Sequence, residues 1–159
     1  MRNIVLLLVV FVTGCATGYK APENKNTTLT FIMPDTANAN ANQFYSLHEN
    51  ESCAETEGFG MAANMLKMFG IGGFDKTVSV VPSKRVYIAA VGQNHSGGAT
   101  VYSRSCLNFV SFEPTLGHQY LVEQKASGRH CMVEIKENET GKKPESFVIH
   151  SIPADCHGK

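Results

Sequence analysis

The side chains best suited to chemistry in this 159-residue sequence are its five cysteines. Cys53, Cys106, Cys131 and Cys156 form an even set, which predicts two disulfides if the chain reaches an oxidising compartment. Four cysteines allow three connectivities. We expect Cys53 to pair with Cys106, which would join an early segment to the middle of the fold, and Cys131 to pair with Cys156.

The fifth cysteine, Cys15, follows a segment typical of protein export. The basic start Met1-Arg2-Asn3 leads into nine consecutive apolar residues, 4–12, far short of the roughly 20 needed to span a bilayer. The next residues, Val12-Thr13-Gly14-Cys15, resemble the bacterial lipobox, in which the cysteine receives diacylglycerol. The resemblance implies cleavage after Gly14 and lipid on Cys15. Lipidation would also prevent an odd free thiol from remaining beside the four other cysteines.

An ordinary secretory signal is the alternative interpretation of the same residues, because Gly14-Cys15-Ala16 also offers the small side chains that such a signal needs before its cleavage site. The acceptor pattern for N-linked glycans would then point to a eukaryotic secreted glycoprotein. That pattern begins at Asn26, Asn50, Asn94 and Asn138.

The mature chain divides into a polar tether and one domain. Residues 1–14 are expected to be the signal peptide, residues 15–27 a flexible, polar tether without an apolar period, and residues 28–159 the folded domain. In enteric lipoproteins, Asp directly after the lipidated cysteine favours the inner membrane. By resemblance to them, Ala16 at this position implies the periplasmic side of the outer membrane.

A methionine stripe forms the second unusual set of side chains. Met61, Met65 and Met68 recur at i, i+4 and i+7, which predicts a short helix over residues 61–69. Together with Phe69, these side chains are our candidates for binding a partner, because methionine adapts to irregular surfaces. Core packing of the short helix is the commoner explanation of such a stripe, and a site for reduced copper is a further alternative.

Catalytic and metal-binding motifs are scarce. The sequence contains no Gly-x-Ser-x-Gly elbow, no His-Glu-x-x-His pair, no Walker loop and no dinucleotide-binding glycine motif. We therefore expect neither an enzyme nor a cofactor. His130-Cys131 and Cys156-His157 could make a zinc site, but the short Cys-x-x-Cys spacing is missing and disulfides are favoured in an oxidising compartment.

From residue 77 onward the sequence alternates strand-like segments with Gly, Pro and Ser turns, which predicts about seven or eight strands. The expected fold is an all-β Greek-key sandwich of immunoglobulin, fibronectin or transthyretin type, with the short helix as an insertion. Residues 112–122 resemble the tyrosine corner of such sandwiches, so Tyr120 is expected to donate or accept a hydrogen bond with the backbone upstream. The absence of Trp excludes an antibody-type domain.

The charge and motifs together favour a binding protein over an enzyme. Without Arg2 the chain has 13 basic and 14 acidic residues, a net charge of −1, which gives no electrostatic footprint for nucleic acid. We expect a lipid-anchored envelope protein with a structural or partner-binding role. The alternative is a module that binds a glycan or metal through His95, His118 or the methionine stripe. In general character the chain resembles the small lipoproteins of Gram-negative bacteria.

Overall fold

A computed structural model describes residues 18–23, 26–34, 41–54, 59–68, 71–96, 102–127 and 130–156. No helix within these ranges is long and apolar enough to cross a membrane. A short 3-10 turn covers Ala154–Cys156. The strands are β1 Thr28–Ile32, β2 Ala41–His48, β3 Gly60–Met68, β4 Ile71–Gly72, β5 Lys76–Ser79, β6 Val86–Ser96, β7 Tyr102–Phe112, β8 Gln119–Ser127, β9 His130–Glu137 and β10 Val148–His150.

These strands form two sheets, and the predicted all-β sandwich is confirmed. The small sheet has the order β5-β1-β8-β9, and the large sheet has the order β10-β7-β6-β2-β3-β4. Among the described strands, β1 and β8 pair in parallel and the other pairs are antiparallel. The chain passes between the sheets repeatedly, so both sheets combine strands that are distant in sequence.

The main core lies between the two sheets. Along β2, Gln43, Tyr45 and Leu47 are buried toward the small sheet and alternate with side chains on the opposite face, as the two-residue period of a strand requires. Phe31 of β1 packs against Tyr45, with ring centroids 4.6 Å apart. The sandwich is therefore held together mainly by apolar side chains removed from water.

A buried polar network also joins the sheets. The Tyr45 hydroxyl donates to Gln43 Oε1 and accepts the backbone N–H of Gln124, each at 3.0 Å. The Gln124 side chain of β8 reaches across the core, where its Nε2 donates to the carbonyls of Ala90 (3.0 Å) and Cys106 (3.1 Å) in the large sheet. Both Nε2 hydrogens of Gln124 are thus bonded inside the core, where most buried polar groups are paired.

The tyrosine corner predicted at Tyr120 is present where the chain crosses from β7 to β8. The backbone N–H of Thr115 donates to the Tyr120 hydroxyl at 2.9 Å, and the buried Tyr120 ring packs edge-on against Phe112. This crossing is fixed by one hydrogen bond and one aromatic contact.

The helix predicted over residues 61–69 is wrong where the structure describes it, because Gly60–Met68 is strand β3. Within β3, Ala63 and Met65 are buried and Asn64 and Leu66 are exposed, a two-residue period. The methionine spacing alone indicated a helix, but the segment is extended by its pairing with β2 over most of its length.

The expected disulfide pairing is also wrong, although all four cysteines do form disulfides. Cys53 pairs with Cys156, and Cys106 pairs with Cys131. Cys106 lies on the inner face of the large sheet and reaches Cys131 of β9 in the small sheet. Cys53 and Cys156 meet on the outer face, so the large sheet separates the two bonds and prevents the expected pairs.

Replacing Tyr120 with Phe should destabilise the fold by about 1–3 kcal/mol, because the partly buried N–H of Thr115 loses its acceptor. Urea unfolding of the wild type and the variant measures this difference. Tyr87→Phe is the matched control, since within the described residues the Tyr87 hydroxyl forms no hydrogen bond. Equal losses in both variants would contradict a specific role for the corner.

Candidate functional site

An apolar concavity lies on the outer face of the large sheet, the face turned away from the small sheet. Its volume is about 550 Å³, within the range of small-molecule sites. We call it the outer pocket. It is lined by Phe44, Ser46, His48, Cys53, Ala54, Phe59, Gly60, Met61, Ala89, Val91, Gln93, Leu107, Asp155 and Cys156.

The floor of the outer pocket is formed by outward-facing residues of β2, β6 and β7. Phe44 is paired with Val91, and Val91 is paired with Leu107, so three apolar side chains form a row across neighbouring strands. Ser46 and Ala89 form the next pair, and their short side chains leave room above the sheet. The floor is concave because the row of small side chains lies beside the row of large ones.

A β-bulge supplies the side of the pocket. The register between β2 and β3 shifts between Tyr45 and Ser46, so that Tyr45 faces Ala63 while Ser46 faces Met61. The extra residue, Ala62, is buried, and Met61 is turned to the outer face with 43% of its surface exposed. Without this bulge, the alternation of β3 would direct Met61 toward the core.

The roof of the pocket comes from two distant segments joined by the Cys53–Cys156 disulfide, whose cysteines are separated by 103 residues in sequence. The Ser52 hydroxyl donates to the Asp155 carboxylate and accepts the backbone N–H of Ala54. The hydrogen bond from Ser52 lowers the pKa of Asp155 below its usual range. Asp155 is therefore ionised at neutral pH and already paired.

Polar groups within the pocket are few. Ser46 Oγ lies 2.8 Å from His48 Nε2, and both residues are on the same face of β2. His48 is buried and its ring packs near Phe109. Such a pair can hold one polar group of a ligand at the floor, beside an otherwise apolar surface.

A second Ser-His pair lies farther along the outer face and superficially has the order of a catalytic triad. Ser111 Oγ is 2.7 Å from His150 Nε2, and His150 Nδ1 is 3.7 Å from Glu51 Oε1. Ser111 is fully buried, however, and Arg85 also donates to its Oγ at 3.0 Å. A substrate cannot reach this hydroxyl in the folded chain, so the network serves to attach β10 to β7.

The residues expected to bind a partner do not share one environment in the structure. Met65 is 2% exposed and packs in the core, so it cannot contact a partner, whereas Met61 lines the outer pocket. The Met68 side chain and Phe69 lie outside the described residues. Met61 and Met65 therefore lie on opposite faces of β3 and do not form one surface.

Metal binding is not supported in the described part of the chain, where no three His, Cys, Asp or Glu residues are grouped to hold an ion. Cys131 and Cys156 belong to different disulfides, which excludes the mirrored zinc site in this fold. His118 lies 3.6 Å from Glu137. Cys15, His157 and the side chains of His95 and His130 lie outside the description.

The segment before β1 is attached to the rim of the pocket. Gly18 forms a parallel bridge with Met61, and the backbone N–H of Tyr19 donates to the Met61 carbonyl at 2.9 Å. The Tyr19 hydroxyl donates to the Ser79 carbonyl at 2.9 Å, and its ring contacts Phe59 edge-on. Tyr19 is thus part of the sandwich, although it lies within the range expected to be a tether.

The outer pocket was missed from the sequence, although a signal exists. Phe44, Val91, Leu107 and Phe109 are apolar at positions that alternation would assign to solvent. A strand that is apolar on both faces indicates cover on both faces.

Searches with family models, among curated proteins and among solved structures found no match for this chain.

The attachment of Tyr19 should depend on pH. Burial raises the pKa of Tyr19 to about 12 from an ordinary value of 10.0. Because the folded pKa is the higher one, the stabilising contribution is complete below about pH 10 and is lost as the pH rises toward 12. Tyr19→Phe should cost about 1 kcal/mol near neutral pH, and this cost should shrink in alkali.

Chemical unfolding of both chains between about pH 8 and pH 11 measures this effect. Other groups that titrate in this range are present in both chains and cancel in the difference. A cost that stays constant over the whole range would contradict protonation-dependent docking of Tyr19.

Proposed function

We propose that this protein is a lipid-anchored, non-catalytic binding protein of the cell envelope, and that its outer pocket binds a neutral acyl chain. The observation that carries the proposal is an apolar cavity of about 550 Å³ with a small polar group at its floor. This combination is typical of sites for small, largely apolar molecules.

The lining favours an uncharged occupant. Its described residues include one carboxylate, Asp155, and no lysine or arginine. Among the described lining residues a fatty-acid carboxylate would meet no lysine or arginine, whereas an ester or amide of the same chain has no charge to compensate. A glycan fits poorly, because its many hydroxyls need polar partners and the pocket offers few.

The anchoring part of the proposal rests on the lipobox-like Val12-Thr13-Gly14-Cys15 and on the two disulfides, which are typical of an oxidising compartment. Ala16 favours the periplasmic side of the outer membrane. Lipid on Cys15 would attach the protein to that surface without a membrane-spanning segment.

Expression in a Gram-negative host tests the anchor. The mature wild-type protein should sediment with membranes and have an N-terminal peptide whose mass includes diacylglycerol on Cys15. A Cys15→Ser chain, exported behind an ordinary cleavable signal, should be released by osmotic shock. A mature wild-type chain beginning at unmodified Ala16 or Thr17 would remove the anchor from the proposal.

Binding of a fluorescent monoacylglycerol to the exported Cys15→Ser chain tests the pocket. Met61→Glu in this background should weaken binding by about tenfold or more, because a carboxylate is placed against the apolar ligand. Ile71→Glu is the matched control, since Ile71 is 77% exposed on an edge strand and does not line the pocket. No saturable binding by the parent chain would contradict the proposal.

Docking of an envelope protein is a second candidate, favoured by exposed apolar side chains on the β3–β4 hairpin and just after it. Leu66, Ile71 and Phe74 are 52%, 77% and 84% exposed. Large apolar groups exposed together are typical of interaction surfaces. Crosslinking in membranes separates the two candidates. If a protein docks on the hairpin, its crosslink should be lost in the Ile71→Glu variant and kept in the Met61→Glu variant.

A further inference from the structure

The rim of the outer pocket coincides with the point where the N-terminal segment joins the sandwich. Gly18 is bridged to Met61, which lines the pocket, and Tyr19 contacts Phe59, which also lines it. Two hydrogen bonds, to the carbonyls of Met61 and Ser79, hold Tyr19 in this place. The start of the described chain is thus fixed beside the pocket.

Covalent geometry then limits where Cys15 can be. It precedes Gly18 by three residues, and three extended residues span at most about 10–11 Å. The bridge between Gly18 and β3 is parallel, so the chain enters Gly18 from the side of β3 on which Phe59 and Gly60 lie. A group attached to Cys15 is therefore tethered within a short distance of the pocket rim.

We propose that one acyl chain of the diacylglycerol on Cys15 occupies the outer pocket, while the other remains in the membrane. The inference rests on the proposed function, because it requires lipid on Cys15 and a pocket that accepts a neutral acyl chain. An acyl chain in ester linkage fits this lining, because it is apolar and because it has no carboxylate to face Asp155.

Tethering favours this occupant over a free lipid. A ligand attached through two intervening residues has a high effective concentration at a site within its reach. The docking of Tyr19 strengthens the effect, because only residues 16 and 17 separate Cys15 from the docked segment. The pocket then also fixes how the sandwich stands on the membrane, with the outer face of the large sheet toward the lipid.

Photocrosslinking of the lipidated full chain in membranes tests the inference. Cells that incorporate a diazirine-bearing fatty acid produce the protein, membranes are irradiated, and crosslinked peptides are identified by mass spectrometry. We expect adducts on peptides that contain Phe44, Met61 or Leu107. Met61→Glu should reduce these adducts by about tenfold, and Ile71→Glu should leave them unchanged.

Gln93→Glu provides a second, nearly isosteric variant in case Met61→Glu folds poorly, because it also adds a charge to the lining. Adducts restricted to membrane lipids or to peptides outside the pocket, on a protein that carries diacylglycerol, would overturn the inference. The proposed function would survive that result if the Cys15→Ser chain binds monoacylglycerol. Absence of lipid on Cys15 would instead remove the anchor itself and this inference with it.

Discussion

The strands β2, β6 and β7 have apolar side chains on both faces, and both faces must be shielded from water. The small sheet covers the inner face and forms the main core with it. No second sheet covers the outer face in the described structure. Its cover is a small cluster around Cys53, Ala89 and Phe109, together with the turn at Ala154–Cys156. The outer pocket exists because this cover is incomplete over β2 and the start of β3.

The two sides of the large sheet differ in how firmly they are held. On the inner side, Gln124 reaches across the core, and a Cβ atom on Gly92 would lie only 2.7 Å from its Oε1. A side chain at position 92 would therefore force the Gln124 amide to move from its place in the core. On the outer side, the turn that roofs the pocket has no buried residues and is joined to the segment of Ser52 and Cys53 by a disulfide and a hydrogen bond. The floor of the pocket is therefore a sheet that packs on the main core, and its roof is a turn held by a disulfide and by the Ser52–Asp155 hydrogen bond.

Much of this fold could be predicted because the signals are local. Alternation and turn residues are enough to indicate most strands, and the spacing of Phe112, Pro114 and Tyr120 indicates the corner. The helix prediction failed because three methionines can match a helical period by chance, while the pairing that makes residues 60–68 a strand comes from β2. Disulfide connectivity and the pocket depend on which face each strand presents after folding. The spacing of residues along the sequence does not contain that information, although apolar residues on both faces of β2 indicated that its outer face is covered.

The connectivity of the disulfides constrains biosynthesis as well as the folded state. The cysteines follow one another along the chain in the order Cys53, Cys106, Cys131 and Cys156, yet the native bonds are nested, with Cys106–Cys131 enclosed by Cys53–Cys156. An oxidant that joined neighbouring cysteines as they emerged would link Cys53 to Cys106. The native pairing is therefore favoured if the large sheet, which separates Cys53 from Cys106, forms before Cys53 is oxidised, or if thiol exchange later undoes a first bond between them. Delayed oxidation or a disulfide isomerase would thus raise the yield of the native bonds.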